Sequence, residues 1–291
     1  MKSAPFAYRR PDSVAEALDV LDEFGEDCRV LAGGQSLGAM LNMRLVTPRV
    51  ILDINRLSEL DRLSVSGRTI IIGAIVRQAD ALTARDAQAA SLLTVALPHV
   101  GHYQTRNRGT ICGSVAHADP SAELPLALLV SGGRIELRSR RKIRQVRAED
   151  FFVSTLTTAR RSDELVTALH WPARPQRSGE AFAEFATRSG DYAIVAAACQ
   201  AMLQSDGAIA QIRLGFAGVH ERPVLAETAT CNGHRPSGDI VEQLATEAMR
   251  GIEPTVDFHA TAAFRRNLLC VLARQVVTQA LDAARRGGTD V

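Results

Sequence analysis

Two glycine-containing segments about 75 residues apart constrain this chain more than any other feature. The first, AGGQSL (32–37), comes directly after a predicted strand and opens a predicted helix, and the second is RGTICGS (108–114). Glycine lets backbone amides approach a ligand closely, and a helix N-terminus attracts negative charge. Two separated loops of this kind suit a diphosphate, whose two charged groups need donors from both sides.

Neither segment is a GxGxxG fingerprint, and no P-loop GK[ST] occurs in the chain. Nicotinamide-binding Rossmann folds and kinase-type phosphate loops are therefore excluded. Taken alone, the first segment is also compatible with a strand-to-helix turn that needs a positive φ, so that interpretation stays open at this point.

The composition is that of an ordinary globular chain. Its 291 residues exceed the usual size of one domain, with 46% hydrophobic and 23% charged residues. The formal net charge is only +2, and Lys2 and Lys142 are the only lysines, so the arginine excess reflects genome composition. A near-neutral total argues against nucleic-acid binding.

The five cysteines are widely spaced, which excludes CxxC metal or redox pairs and iron–sulfur ligand runs. No apolar stretch resembles a secretory signal or a membrane span. We therefore expect a cytoplasmic protein with reduced thiols.

Local patterns predict the elements of the first 175 residues. Ser13 and Glu16 form a capping box that opens a helix ending at Gly25. A β-α-β unit is expected up to residue 56, with strands at 29–32 and 50–54 around a helix at 37–45. Further expected elements are a hairpin at 63–73 with a Ser66-Gly67 turn, helices at 76–84, 87–97 and 121–130, strands at 134–138 and 164–169, an irregular connection at 99–120, and a linker at 171–175.

Beyond the predicted linker the pattern changes. Alternating residues at 182–185, 193–203 and 208–216 predict an antiparallel meander with an Asp206-Gly207 turn. Helices are expected at 240–249 and from about Asp257 to Arg286. The change in pattern predicts a domain boundary near residue 175.

Four segments together resemble a known family. They are AGGQSL near residue 32, GHYQTRNRGTICGS (101–114), AHADPSAELP (116–125) and RSGDYAIV (188–195). The chain resembles, over essentially its whole length, the FAD-binding medium subunit of molybdenum hydroxylases of the xanthine, carbon monoxide and nicotine dehydrogenase type.

The resemblance implies an α+β fold in three parts. Residues 1–56 and 57–175 would be two α/β subdomains that hold FAD between them, as in the vanillyl-alcohol-oxidase-like flavoproteins. Residues 176–291 would form a three-stranded antiparallel sheet with helices.

The resemblance also implies the cofactor-binding residues. The first pyrophosphate loop would present amides and a hydroxyl, and Glu123 would accept hydrogen bonds from the ribose hydroxyls of FAD. In the second loop Cys112 replaces a usual glycine, which leaves the backbone conformation there open. Val100 and Gly101 would line one side of FAD, and Arg160 and Tyr192 would lie near the isoalloxazine. The remaining predicted contacts are Arg29, Leu31, Ala32, Gly33, Gly34, Gln35, Ser36, Leu37, Gly109, Thr110, Gly113 and Ser114.

The implied function is electron transfer. The chain would bind one FAD non-covalently, accept electrons from the [2Fe–2S] clusters of a small subunit beside a molybdenum-cofactor large subunit, and pass them to an external acceptor. Two alternatives remain: a self-contained flavin oxidoreductase of the same fold, and an assembly subunit that has lost FAD. The first would need its own substrate base, and the intact glycine segments argue against the second.

Other polar groups have simpler interpretations. His99, His102 and His117 lack the companion ligands of a metal site, so loop hydrogen bonding is favoured. An isolated thiol such as Cys112 is usually inert. The basic run from Arg138 to Arg147 is interpreted as a solvated strand and turn. That run and the linker around Trp171 are also the candidates for a docking face.

Overall fold

The computed structural model describes residues 2–286 of the chain. Its helices and strands alternate in the first half, whereas long strands and then helices dominate the second half. The strands are β1 (Ala7–Arg9), β2 (Cys28–Leu31), β3 (Val50–Asp53), β4 (Leu63–Ser66), β5 (Thr69–Gly73), β6 (Arg134–Arg138), β7 (Ile143–Arg147), β8 (Phe152–Ser154), β9 (Thr157–Thr158), β10 (Leu165–Pro172), β11 (Ser178–Phe185), β12 (Val195–Leu203), β13 (Ile209–Ala217) and β14 (Val224–Leu225). The α-helices are α1 (Val14–Phe24), α2 (Leu37–Asn42), α3 (Gln78–Thr83), α4 (Leu93–Ala96), α5 (Tyr103–Arg108), α6 (Ile111–His117), α7 (Glu123–Ser131), α8 (Ala148–Phe151), α9 (Gly238–Glu247) and α10 (Ala262–Arg286).

The first sheet is parallel, with strand order β1-β3-β2. The predicted β-α-β unit is confirmed as β2, α2 and β3, and β1 adds an edge strand that the sequence patterns missed. The predicted capping box is present, since the Ser13 hydroxyl accepts a hydrogen bond from the Glu16 amide at 3.2 Å. The Glu16 carboxylate accepts from the Asp12 amide at 3.0 Å, one residue before the cap. Both bonds stabilise the start of α1.

The second sheet is antiparallel, with strand order β4-β5-β10-β6-β7. The predicted hairpin is β4 and β5, although the turn lies at Gly67-Arg68 rather than Ser66-Gly67. The helix predicted at 87–97 was wrong, because that segment is broken into short helical turns around α4. Leu92 has a positive φ of 61°, which interrupts any continuous helix there.

Two further corrections concern residues 99–120 and 171–175. The segment 99–120 is not irregular, because it contains α5 and α6. Trp171 does not lie in a linker, because it belongs to β10 and is fully buried. Its indole N–H donates to the Ser91 carbonyl at 2.6 Å, so Trp171 is a core residue and no docking face.

The basic run forms the hairpin of β6 and β7, as the strand-and-turn interpretation predicted. Several of its charges are already paired within the chain. Arg140 bridges Asp19 and Asp22, and Arg144 binds the buried Glu164 at 2.7 Å. These pairs leave less positive charge for a partner than the sequence alone indicated.

The third sheet is antiparallel, with strand order β11-β12-β13-β14. It has four strands rather than the predicted three, because the short β14 joins β13. Helix α10 packs on β11 and β12, and it begins at Ala262 rather than near Asp257. The proposed division at residues 56 and 175 stays a prediction.

Helix α7 lies between the second and third sheets and packs against both. It contacts β10, β12 and β13, and every residue of the helix is buried. Such a helix needs apolar residues all round, and α7 has them except at its two ends, Glu123 and Ser131. The fold therefore holds a buried carboxyl group at the first position of a helix packed between two sheets.

Candidate functional site

A cleft of about 930 Å³ lies where the first two sheets meet the segments that follow β2, α5 and β9. It brings together parts of the chain that are far apart in sequence. All but one of the predicted cofactor contacts line it, namely Arg29, Ala32, Gly33, Gly34, Gln35, Ser36, Leu37, Val100, Gly101, Gly109, Thr110, Cys112, Gly113, Ser114, Glu123, Arg160 and Tyr192. The exception is Leu31, whose side chain packs beneath Gly34.

The first loop, residues 32–36, joins β2 to α2. A Cβ atom on Gly33 would lie 2.5 Å from the Arg108 carbonyl oxygen and 2.7 Å from the Gly109 Cα, so only glycine fits. Gly34 has a φ of +72°, which favours glycine for a different reason. The strand-to-helix turn with a positive φ, which the sequence left open as an alternative, is therefore present, and its residues also line the cleft.

The second loop runs from Arg108 into α6. Thr110 caps that helix, because its hydroxyl accepts from the Gly113 amide at 3.0 Å. Cys112 is helical and has no positive φ, so replacing glycine there causes no backbone strain. Its Sγ donates to the carbonyls of Ile72 and Gly73 at 3.3 and 3.4 Å. Burial raises the pKa of the Cys112 thiol, which therefore stays protonated.

Glu123 is the buried carboxyl of the cleft, with only 5% of its surface exposed. Burial raises its pKa from 4.5 to about 7, and the nearby carboxylates of Glu184 and Asp119 act in the same direction. Its own backbone amide and His99 oppose the rise. A carboxyl group in this state is suited to accept hydroxyl donors from a ligand, which would replace the water that burial removes.

Two guanidinium groups give one part of the cleft positive charge. Arg29 donates to the carbonyls of Glu26 and Cys28 at 2.7 and 3.1 Å. Arg160 donates to the carbonyls of Glu164 and Arg161 at 2.7 and 2.9 Å. Burial, and then the charge of Arg29, lower the pKa of Arg160. These arginines are held by neutral carbonyl groups, so their charge is available to a negatively charged ligand.

The histidines and Tyr192 lie around the same region. His99 hydrogen-bonds to Glu184 at 3.3 Å, and that bond raises its pKa. His117 lines the cleft, and burial lowers its pKa. Residues 2–286 contain no group of three side chains that could hold a metal ion. Tyr192 lines the cleft beside Ser36 of the first loop, and burial raises the pKa of its hydroxyl.

Sequence patterns missed a polar network that joins the two loops. Asn55 donates to the Ala32 carbonyl of the first loop at 2.9 Å. Arg77 donates to the Arg108 carbonyl of the second loop at 2.6 Å and to the Asn55 side-chain oxygen at 2.6 Å. No local motif marks these residues, because their partners are 22 to 31 residues away.

The cleft is large enough for a dinucleotide and combines glycine loops, a buried carboxyl group and a cationic end. This combination defines a dinucleotide-binding protein of mixed helix and sheet. Residues 4–174 match the family model described as "FAD binding domain in molybdopterin dehydrogenase". Residues 180–280 match the "CO dehydrogenase flavoprotein C-terminal domain".

Similar proteins cover nearly the whole chain. The 6-hydroxypseudooxynicotine dehydrogenase complex subunit alpha of Paenarthrobacter nicotinovorans is 36% identical, over 98% of this chain and 97% of that protein. The carbon monoxide dehydrogenase medium chain of Hydrogenophaga pseudoflava is 31% identical, over 96% of each chain. The structure of quinoline 2-oxidoreductase from Pseudomonas putida 86 matches with a TM-score of 0.91 and 33% identity, over 99% of this chain and 100% of that chain.

The chain therefore belongs to the family of FAD-binding medium subunits of molybdenum hydroxylases. The predicted family, the FAD cofactor and the assignment to an oxidoreductase are confirmed. None of the helices within residues 2–286 combines the length and apolar character that crossing a membrane requires.

Proposed function

We propose that this chain is the electron-transfer subunit of a heterotrimeric molybdenum hydroxylase. It would receive electrons from the [2Fe–2S] clusters of a small subunit, next to a molybdenum-cofactor large subunit, and deliver them to an external acceptor. The observation that carries this proposal is the single cleft in which both glycine loops, Glu123 and the two arginines meet. The cytoplasmic location inferred from the sequence stays a prediction.

The cleft fits FAD on three structural features. Gly33 lacks a Cβ and so lets the two glycine loops touch at Arg108 and Gly109, which brings both loops to one cleft, as a pyrophosphate site requires. Glu123 is a buried carboxyl group whose raised pKa indicates an unmet need for polar partners. The cleft volume, about 930 Å³, is that of a site for a large cofactor.

Within this proposal each part of the cleft has a role. The isoalloxazine of bound FAD supplies the redox chemistry. Amides of residues 33–36 and of the start of α6 would bind the pyrophosphate between the two subdomains, as in vanillyl-alcohol-oxidase-like flavoproteins. Glu123 would accept from the ribose hydroxyls. Arg160 and Tyr192 would lie near the isoalloxazine, with Val100 and Gly101 along one side.

A first experiment identifies the cofactor. Acid precipitation of the protein, purified with the chains that co-purify with it, should release FAD, which chromatography separates from FMN. A protein that releases no flavin and also fails to take up added FAD would support the alternative of an assembly subunit that has lost its cofactor. Flavin that stays with the precipitate would show covalent attachment.

A second experiment tests the direction of electron flow. The FAD-loaded chain is mixed anaerobically with its two partner subunits. Its flavin should then bleach when the hydroxylation substrate is added. The chain alone, loaded with FAD, should not bleach with the same substrate. Bleaching of the isolated chain would instead identify a self-contained flavin oxidoreductase.

A further inference from the structure

Asn55 is held by several hydrogen bonds within the chain. Its amide nitrogen Nδ2 donates to the carbonyls of Ala32 and Leu31 at 2.9 and 3.3 Å. The same nitrogen donates to Asp53 Oδ1 at 2.6 Å, and the Asn55 backbone amide donates to that oxygen at 2.9 Å. The other Asp53 oxygen accepts from the Tyr8 hydroxyl. Asp53 therefore holds Asn55 in one rotamer, facing the first loop.

Arg77 contacts the second loop in the way that Asn55 contacts the first. It lies immediately before α3, where its backbone forms a β-bridge with Thr110. The neighbouring amides of Gln78 and Ile111 bond to the carbonyls of Gly109 and Val76 at 2.9 and 3.3 Å, so the segment is held by the main chain. Its guanidinium then has one nitrogen on the Arg108 carbonyl and the other on Asn55.

Binding the Arg108 carbonyl and Asn55 at once requires a side chain with two donor nitrogens, which the guanidinium group of Arg77 provides. One planar group binds two acceptors at 2.6 Å, one on each side of the contact between the loops. Lysine has a single charged nitrogen and lacks this fixed two-donor geometry. The carbonyl and amide of a trans peptide point in opposite directions, so fixing a carbonyl also fixes the direction of the next amide.

We propose that Arg77 and Asn55 are positioning residues that clamp the two loops in the arrangement that binds the pyrophosphate of FAD. The bond to the Ala32 carbonyl sets the direction of the Gly33 amide, and the bond to the Arg108 carbonyl fixes the part of the second loop that Gly33 contacts. This inference rests on the proposed cofactor site. Neither residue needs to touch the cofactor itself.

A double-mutant cycle on FAD affinity tests the clamp, using the full chain with the subunits that co-purify with it. Arg77→Met and Asn55→Ser should each weaken FAD binding by about tenfold. Because both remove the same bond, the double variant should lose far less than the hundredfold product of the two single effects. Arg77→Lys should recover only part of the loss. Arg85→Met is the control, since Arg85 is exposed near the end of α3.

Two further measurements separate positioning from general stability. The visible circular dichroism of bound FAD should change in Arg77→Met, while the melting temperature stays close to that of Arg85→Met. Hydrogen exchange of the FAD-free chain should increase at residues 32–36 and 108–114, but not in the strands of the third sheet.

The outcomes are distinguishable. Unchanged FAD affinity and unchanged exchange in Arg77→Met would overturn the clamp. So would exchange that increases throughout the chain, because Arg77 would then be a general stabilising residue. Selective loop exchange in a chain that never binds FAD would support the clamp and contradict the proposed function instead.

Discussion

The side formed by residues 29–37 and the side formed by residues 109–123 line the same cleft but are built differently. The first side depends on backbone shape: Gly33 touches the opposite loop, and Gly34 has a left-handed conformation. The second side depends on side chains: Thr110 caps α6, Cys112 packs against β5, and Glu123 opens a buried helix. The first side should therefore be sensitive to added bulk, and the second to lost polar groups.

The largest effect is expected at Gly33, where the two sides meet. Gly33→Val would place side-chain atoms against the Arg108 carbonyl and push the loops apart. We expect FAD affinity, measured by titration, to fall at least a hundredfold, about 2.7 kcal/mol. Gly38→Ala is the matched control, because a Cβ at Gly38 meets nothing within 4 Å. An affinity within threefold of the wild type in a folded Gly33→Val protein would contradict the loop contact.

The next effect concerns Glu123 and pH. Its folded pKa of about 7 lies above the ordinary 4.5, so its contribution to stability is present below pH 4.5 and is lost as pH rises towards 7. Between pH 4 and pH 6 this loss is about 2 kcal/mol. Glu123→Gln should remove this pH-dependent loss of unfolding free energy, which urea unfolding of the FAD-free chain measures. A stability difference between wild type and variant that does not change with pH would show that Glu123 ionises normally.

Gly34→Val tests backbone conformation on the first side. At a φ of +72° a β-branched residue is strained, and its Cβ would also press on Leu31. FAD affinity should fall by at least tenfold, about 1.4 kcal/mol, while the FAD-free protein stays folded. Gly67→Val introduces similar strain at a φ of +60° in an exposed hairpin turn, and it should leave FAD affinity unchanged. Equal affinities for both variants would count against the first loop as a binding element.

The smallest effect is expected from Thr110→Val on the second side. Valine keeps the shape of threonine but removes the hydroxyl that accepts from Gly113. Losing this cap should cost about 1 kcal/mol of unfolding free energy in urea. Thr110→Ser keeps the hydroxyl and should retain most of the stability. If serine were more destabilising than valine, packing of the buried methyl group would matter more than the cap.

Comparison of the two sides also shows which features local sequence predicts. The capping box at Ser13 and the hairpin of β4 and β5 depend on residues close in sequence, and both were predicted, whereas the positive φ in the first glycine segment was left open as an alternative. The conformation of Cys112 was not predicted. The family pattern suggested glycine there, and the burial of Cys112 against β5 is a tertiary contact that local sequence does not reveal.

The largest errors in the structure predicted from sequence also arise from tertiary contacts. Residues 99–120 lack a repeating apolar pattern because α5 and α6 are short and are stabilised by contacts with other segments. Trp171 next to Pro172 resembled a linker, yet pairing with β5 and β6 places this segment in the core. Packing against other elements of the fold, rather than local preference, determined both structures.

By itself, the sequence determined the order of the main elements, the two glycine segments and the family to which the chain belongs. These depend on apolar spacing, turn residues and motifs that occupy short stretches of chain. Only the tertiary structure decided that Gly33 must touch Gly109, that Glu123 is buried with a raised pKa, and that Arg77 and Asn55 connect the loops. Each of these depends on the distance between atoms far apart along the chain, which packing alone sets.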